Sequence, residues 1–194
     1  MKKTFLALLV CITFGSLCVA QEHREPPAHT PTSPVATNAL PAGWIRYNSP
    51  EGRYKVVLPS QPKLSTQPSK TADGVSFLQY MASSTTDKEA FLIGYFDRMA
   101  GSTFSFDRAR DGFVSAVNGA LINENPITLQ GLPGRELRVE GRGSDGEKYV
   151  LRVRIINTGD RIYVVQFIVG SADADTPIEK QRAAQYFESF QVSQ

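Results

Sequence analysis

The sequence predicts an α+β fold, a mostly antiparallel β-sheet packed by two helices. From Arg135 to Glu140, apolar Leu137 and Val139 alternate with Arg135, Glu136, Arg138 and Glu140. Tyr149, Leu151, Val153 and Ile155 form a second row, with Arg152 and Arg154 between them. Alternation with period 2 marks strands with one packed face and one wet or salt-bridged face. Residues 162–169 (IYVVQFIV) show almost no polar alternation, which predicts a central strand covered on both faces. Two helix-start signals supply the cover. The elements run strands, helix, strands, helix without βαβ units, so the pairing is expected to be antiparallel.

At 194 residues the chain fits one domain plus appendages. Residues 1–20 read as a signal peptide, with a basic start at Lys2 and Lys3 and a short apolar run over residues 5–14. Small residues follow, and the cut is expected between Ala20 and Gln21. An uncleaved anchor and lipid attachment through Cys18 are the alternatives. Bulky Leu17 stands before Cys18, where lipoprotein signals carry a small residue. Cys11 and Cys18 both fall in this segment, so the exported chain is expected to lack disulfides, thiol nucleophiles and cysteine metal sites. Without Lys2 and Lys3 the 21 basic residues fall to 19, equal to the 19 acidic ones. Such a chain has no broad electrostatic footprint for nucleic acid or anionic membrane. Residues 21–40 are rich in Pro, Thr and Ala without hydrophobic period and read as a disordered linker. Both histidines, His23 and His29, lie there without preset metal geometry.

Residues 41–194 form the expected single α+β domain. A short strand at Trp44 to Tyr47 leads through turn residues Ser49-Pro50-Glu51-Gly52 to a second, with Tyr54, Val56 and Leu58 alternating. Pro59, Pro62 and Pro68 mark the next segment as an edge or a loop. A turn at Ala72-Asp73-Gly74 leads into a strand over residues 75–82, then a polar loop over 85–89 and an inner strand over 90–96. Ser105 caps a helix whose Phe106, Ala109, Phe113 and Val117 recur at helical spacing, with Gly119 at its end and Gly112 weakening its middle. Residues 121–129 read as a strand, and Gly131-Leu132-Pro133-Gly134 as a turn. Thr176-Pro177-Ile178-Glu179 predicts a second helix with a Thr cap, Pro at its first position and Glu179 reaching back in a capping box. Ile178, Ala183, Tyr186, Phe187 and Phe190 are expected against the sheet.

Candidate chemistry is sparse. Gly141-Arg142-Gly143-Ser144-Asp145-Gly146 matches G-x-G-x-x-G, but a dinucleotide site needs a helix immediately afterwards, and the following residues are β-patterned. The motif reads as a hairpin loop, and no cofactor is expected. The folded domain has no histidine for a Ser-His-Asp arrangement. Asp173, Asp175 and Glu179 could offer oxygen ligands but lack the glycine and spacing of a calcium loop. Helix capping and solubility account for them, and no metal site is assigned. What remains is the cluster Arg138, Arg152 and Arg154, with Arg135 nearby, as a partner surface. Clustered arginines suit carboxylate or phosphate partners through bidentate bonds. The competing reading is a salt-bridge ladder with Glu136 and Glu140. A strand face this charged argues against full coverage by helices on both sides.

Trp44, Tyr47, Ser49-Pro50-Glu51-Gly52, Tyr54 and Val56 resemble the opening of small exported PsbP/Mog-like domains of bacteria. Ala109-Arg110-Asp111-Gly112, Asn118-Gly119, Gly131-x-Pro133-Gly134-Arg135-Glu136 and the closing Tyr186-Phe187-Glu188-Ser189-Phe190 resemble an uncharacterised branch of that group. The resemblance spans about residues 44–192. It implies an antiparallel sheet sandwiched by helices, an α/β/α sandwich, and adaptor-like roles such as extrinsic subunits of membrane complexes or partner-protein binding. It brings no catalytic residues. The expected function is therefore an exported, periplasmic or extracellular, non-enzymatic binding or accessory module acting on an envelope protein or complex, with no transmembrane span after signal removal. A carrier of a small apolar or anionic ligand is the alternative, favoured by an open pocket behind Phe106 and Phe113. A hydrolase is the weakest reading, because no nucleophile–base pair is recognisable.

Overall fold

A computed structural model describes residues 40–70, 76–99, 101–143 and 146–193. The expected signal peptide with its Ala20–Gln21 cut, both cysteines, both histidines, nearly all of the 21–40 linker and the turn at Ala72-Asp73-Gly74 lie outside the described residues.

The elements are β1 (Ile45–Ser49), β2 (Tyr54–Leu58), β3 (Lys63–Lys70), β4 (Ser76–Thr85), β5 (Glu89–Asp97), α1 (Phe106–Ala116), β6 (Ala120–Leu129), β7 (Leu132–Arg142), β8 (Lys148–Asn157), β9 (Arg161–Gly170), α2 (Pro177–Ser189) and β10 (Gln191–Val192). Seven strands form one sheet in the order β3-β4-β5-β9-β8-β7-β6, every pair antiparallel. Two meanders, β3 to β5 and β6 to β9, join edge to edge at β5 and β9. The run predicted to be central, β9, is the middle strand, and its first nine residues are buried. The Pro68-containing strand β3 is an edge, where a missing N–H costs no ladder bond.

Alternate residues of β9 feed two separate cores. Ile162, Val164 and Ile168 pack with Leu137, Val139, Leu151 and Val153 under Ala109, Phe113 and Val117 of the α1 segment. Tyr163, Val165, Phe167 and Val169 pack with Phe91 and Ile93, with β2, and with Ala183, Tyr186 and Phe187 of α2. Chain connectivity explains this division. After β5 the chain must pass over three strands to begin β6 at the far edge, and α1 lies in that crossover. After β9 it returns on the opposite face as α2, and β10 pairs with β2 to complete a small sheet β1-β2-β10. The two buried tyrosine hydroxyls nearest this layer are satisfied: Tyr186 donates to the Leu92 carbonyl at 2.8 Å and Tyr163 to the Gly52 carbonyl at 2.8 Å.

Several local expectations need correction. The β6–β7 turn is Gln130–Gly131, not residues 131–134: both have positive φ (51° and 81°), the twist a two-residue hairpin requires. Pro133 is inside β7, paired with Thr128, but β8 pairing starts only at Gly134, so no donor is missed. The left-handed residue ending α1 is Asn118 (φ 46°), which donates to the Ser115 carbonyl while Gly119 donates to that of Val114. Gly119 serves close approach instead, since a Cβ there would lie 2.7 Å from the Glu140 carbonyl oxygen. Ile178 is exposed. The small sheet with β10 was not foreseen.

The loop expected to be polar over residues 85–89 ends in a fully buried carboxylate, Glu89. It accepts from Thr86 Oγ1 and Arg182 Nη1, each at 2.8 Å. The capping box is half made. Thr176 Oγ1 accepts the Glu179 N–H at 3.4 Å, but the Thr176 N–H goes to the Asp173 carbonyl. Glu179 turns inward to Glu89 and Arg182 instead, with its Oε2 buried and unbonded. Burial, followed by the bond to and charge of Glu89, pushes Glu179 up to about 7; Asp173 adds to this and Arg182 opposes it. Burial also works against charge on Glu89, but bonds from Glu179, Arg182 and Thr86 prevail and hold it below the usual carboxylate range.

A carboxyl raised in the folded state holds its proton where the unfolded chain has lost it. Its stabilising contribution is complete below the ordinary value of 4.5 and is lost as pH rises through about 7. Glu89 imposes the opposite loss at acid pH. Glu179→Gln is therefore expected to flatten the decline in urea midpoint between about pH 5 and pH 8. Parallel wild-type and variant profiles over that range would show that Glu179 does not titrate as described.

Candidate functional site

Strand parity places the arginines. In the β7–β8 register Arg138 stands opposite Arg152, and Glu136 opposite Arg154. Directly opposed residues hold their Cβ atoms about 4.5–5.5 Å apart. All four point to the α2 side of the sheet. Arg135 is opposite Ile155, a member of the α1-side core, so it faces the other way and does not join the cluster. It bonds Asp107 of α1 at 3.0 Å and Glu124 of β6, and its guanidinium lies 5.6 Å from the centre of the Phe106 ring. Arg110 reaches the same Glu124 at 2.9 Å. Arg135 thus belongs to the network seating α1.

The remaining three arginines differ in their partners. Arg154 gives Nε to Glu136 at 2.7 Å and Nη1 to the Phe187 carbonyl at 3.4 Å, with its guanidinium 4.8 Å from the Phe187 ring centre. It anchors α2 to the sheet. Arg138 makes a two-pronged bond to Asp175, at 3.1 and 2.8 Å. These charge-assisted bonds hold the Asp175 carboxyl below the usual carboxylate range. Glu140 pairs with Lys148 at 2.9 Å. The expected salt-bridge ladder is therefore real for Glu136 and Arg154, while the others take different partners.

Arg152 is the exception. It is half-buried and donates to the Ala174 carbonyl at 3.2 Å. No carboxylate among the described residues forms a salt bridge with it. Burial, then the charge of Arg138 across the strand pair, pushes its guanidinium below the usual arginine range. Like charges directly opposed on a sheet are unfavourable, and here one of the two has its own counterion and the other does not.

Beside this pair lies a groove of about 160 Å³, lined by Asn123, Asn125, Glu136, Leu137, Arg138 and Arg152. Asn123 and Asn125 come from β6, opposite Arg138 and Glu136. Asn123 Oδ1 accepts the Glu124 N–H at 3.0 Å, which turns its amide N–H₂ to other acceptors. The lining is thus rich in donors and suited to oxyanions. On the sequence alone Asn123 and Asn125 are passed over, and Asp175 stands only as a candidate oxygen ligand. The alternation of the two asparagines about Glu124, with the same period 2 as β7, was the available signal.

The other candidates resolve into structure. After Gly146 comes β8, not a helix, and the loop closes as a hairpin with Gly143 donating to the Glu147 carbonyl at 2.8 Å; Ser144 and Asp145 lie outside the described residues. Asp173 pairs with Lys88, Asp175 with Arg138, and Glu179 faces Arg182. Among the described residues no group of three His, Cys, Asp or Glu side chains could hold a metal ion. Phe113, where an open ligand pocket would have to begin, is fully buried in the α1-side core.

Neither a protein-family model nor a curated protein matches the chain. Among solved structures, the solution structure of cyanobacterial PsbP (CyanoP) from Synechocystis sp. PCC 6803 aligns with a TM-score of 0.53 at 13% identity, covering 81% of this chain and 96% of that one. A protein of unknown function, PA94 from Pseudomonas aeruginosa, aligns at 0.42 and 10% identity over 74% of this chain and 93% of its own. A protein from Bacteroides thetaiotaomicron VPI-5482 aligns at 0.43 and 14% identity over 77% of this chain and 48% of its own. What the chain shares with the cyanobacterial protein is its fold, a mostly antiparallel sheet with two helices.

Proposed function

We propose that the protein is an exported, non-enzymatic accessory module that binds a protein or complex of the cell envelope through the sheet face carrying Arg138 and Arg152. The observation that carries this reading is the half-buried Arg152, without a carboxylate partner among the described residues, on a sheet face that α2 leaves open. Support for export comes from the basic start, short apolar run and Ala20–Gln21 junction of the sequence. Among the described residues no helix is long and apolar enough to cross a membrane. The accessory role draws on the fold shared with cyanobacterial PsbP. We read the layers as an α/β/α sandwich in which the small sheet shares the α2 layer.

A photoreactive side chain in place of Ala120, exposed on β6 opposite Glu140 and outside the groove lining, is expected to crosslink one envelope protein in intact cells. The adduct should disappear when Arg152→Glu is added. Absence of any adduct, or one indifferent to Arg152→Glu, would remove this surface from the proposal.

The two neighbouring arginines should separate in stability measurements. Arg154→Ala removes an ion pair, a carbonyl bond and a ring contact, and is expected to cost about 2 kcal/mol in urea unfolding. Arg152→Gln removes a like-charge neighbour and should stay within about 0.5 kcal/mol of wild type. Equal losses at both positions would mean that Arg152 is also structural.

A further inference from the structure

We infer that the groove between β6, β7 and β8 is a binding site for one carboxylate monoanion, held by Arg152 together with the side-chain amides of Asn123 and Asn125. This deepens the proposed function and rests on it, since it names the chemistry by which the open face would take its partner.

The strand pair already shows what it accepts. Arg138 is gripped in two-pronged fashion by Asp175, a carboxylate delivered by the turn that precedes α2. Arg152 stands directly opposite Arg138 with the same planar fork, but the chain supplies only the Ala174 carbonyl at 3.2 Å, leaving most of its five N–H donors without an anionic acceptor. The groove at its side is open, and Asn123 has its oxygen tied to the Glu124 N–H. Guanidinium and amide donors therefore converge on one small polar space.

Charge narrows the class of anion. Of the ionisable groups lining the groove, Arg138 is paired with Asp175 and Glu136 with Arg154, which leaves the one positive charge of Arg152. A single carboxylate neutralises it. A phosphate dianion overshoots it and lies close to Glu136, whose Oε2 already accepts from Arg154. The volume of about 160 Å³ fits a carboxylate on a short stem. Two sources share this chemistry: an acidic side chain presented by a protein, or a free small acid. The first is the one the proposed function requires.

The test is an NMR titration of the isotope-labelled protein as purified after export, following the arginine Nε–H signals. Sodium acetate, sodium phosphate, a short poly-glutamate peptide and sodium chloride are added in turn near neutral pH. Acetate is expected to shift the Arg152 and Arg138 signals saturably, Asn125→Ala to weaken both responses, and Arg152→Gln to abolish the Arg138 response, with the remaining spectrum unchanged. A half-saturation for the peptide about tenfold below that of acetate assigns the site to a partner's acidic side chain, and equal values assign it to a free acid. The inference is overturned if chloride at matched ionic strength gives the same shifts, or if no Arg152 response saturates. It is equally overturned if phosphate binds about tenfold more tightly than acetate. A crosslinked envelope protein without saturable carboxylate binding would overturn this inference and leave the accessory reading standing. Saturable acetate binding without a crosslinked protein would do the reverse.

Discussion

Strand β9 imposes the constraint on which the rest of the architecture depends. Nine consecutive buried residues demand cover on both faces of the sheet at the same position. Burying a large apolar side chain is worth about 1.5–3 kcal/mol, so leaving either row of β9 wet would cost several times that. The chain meets the demand with its two long connections. One carries α1 over the face of Ile162, Val164 and Ile168, and the other returns α2 over Tyr163, Val165, Phe167 and Val169. Because β9 pairs with β5 on one side and β8 on the other, the same strand also joins the two meanders into one sheet.

Cover on the α2 side is narrower than the sheet. The position of α2 is set by a knot of aromatic rings: Phe91 meets Tyr186 edge-on at 5.1 Å, and Tyr163 meets Phe190 at 5.6 Å. The small sheet adds Tyr54 to the same knot. These contacts centre the second layer over β5 and β9. Toward the far edge it reaches Arg154, laid over the Phe187 ring, Arg138 through Asp175, and the β6–β7 turn, where Val192 donates to Gln130 Oε1. Beyond Arg154 the α2-side faces of β7 and β6 carry Glu136, Arg138, Asn123 and Asn125. A polar groove there follows from the width of a seven-stranded sheet against a layer built for its middle.

Much of this was legible because the period of a strand is 2 and its consequences are local. The alternation in β7 and β8 and the unbroken apolar run of β9 identified the strands and the central one among them. Ser105 and Thr176 marked the helix starts through their own side chains, which accept from Arg108 and Glu179 backbone N–H groups. What was not legible depended on register. Gly131 to Gly134 holds two glycines and a proline, so the turn could be placed anywhere in it. A turn centred on Gln130 and Gly131 puts Arg135 opposite Pro126, and the separate β7–β8 pairing puts it opposite Ile155 on the α1 face. Parity alone would have separated Arg135 from Arg138, since three positions along a strand always end on opposite faces. Tertiary contacts decided the rest. Glu89 and Asp175 read as loop and solubility residues because their partners, Arg182 and Arg138, are far away in sequence.

The same register separates an ion-pair ladder from the opposed pair Arg138 and Arg152. A ladder neutralises itself, each cation meeting an anion of its own sheet, as Arg154 meets Glu136 and Lys148 meets Glu140. Such pairs fix side chains and contribute little else. Arg138 departs from that pattern by taking its counterion from the turn before α2, which ties the groove to the layer that covers β9. Arg152 departs further. Burial and the charge of Arg138 act against its protonated form, and the charges of Asp175 and Glu136 with the Ala174 carbonyl offset them only in part. An uncharged side chain would fit the sheet without that penalty. Under the proposed function, an outside anion at Arg152 adds to the partial offset that the charges of Asp175 and Glu136 already give.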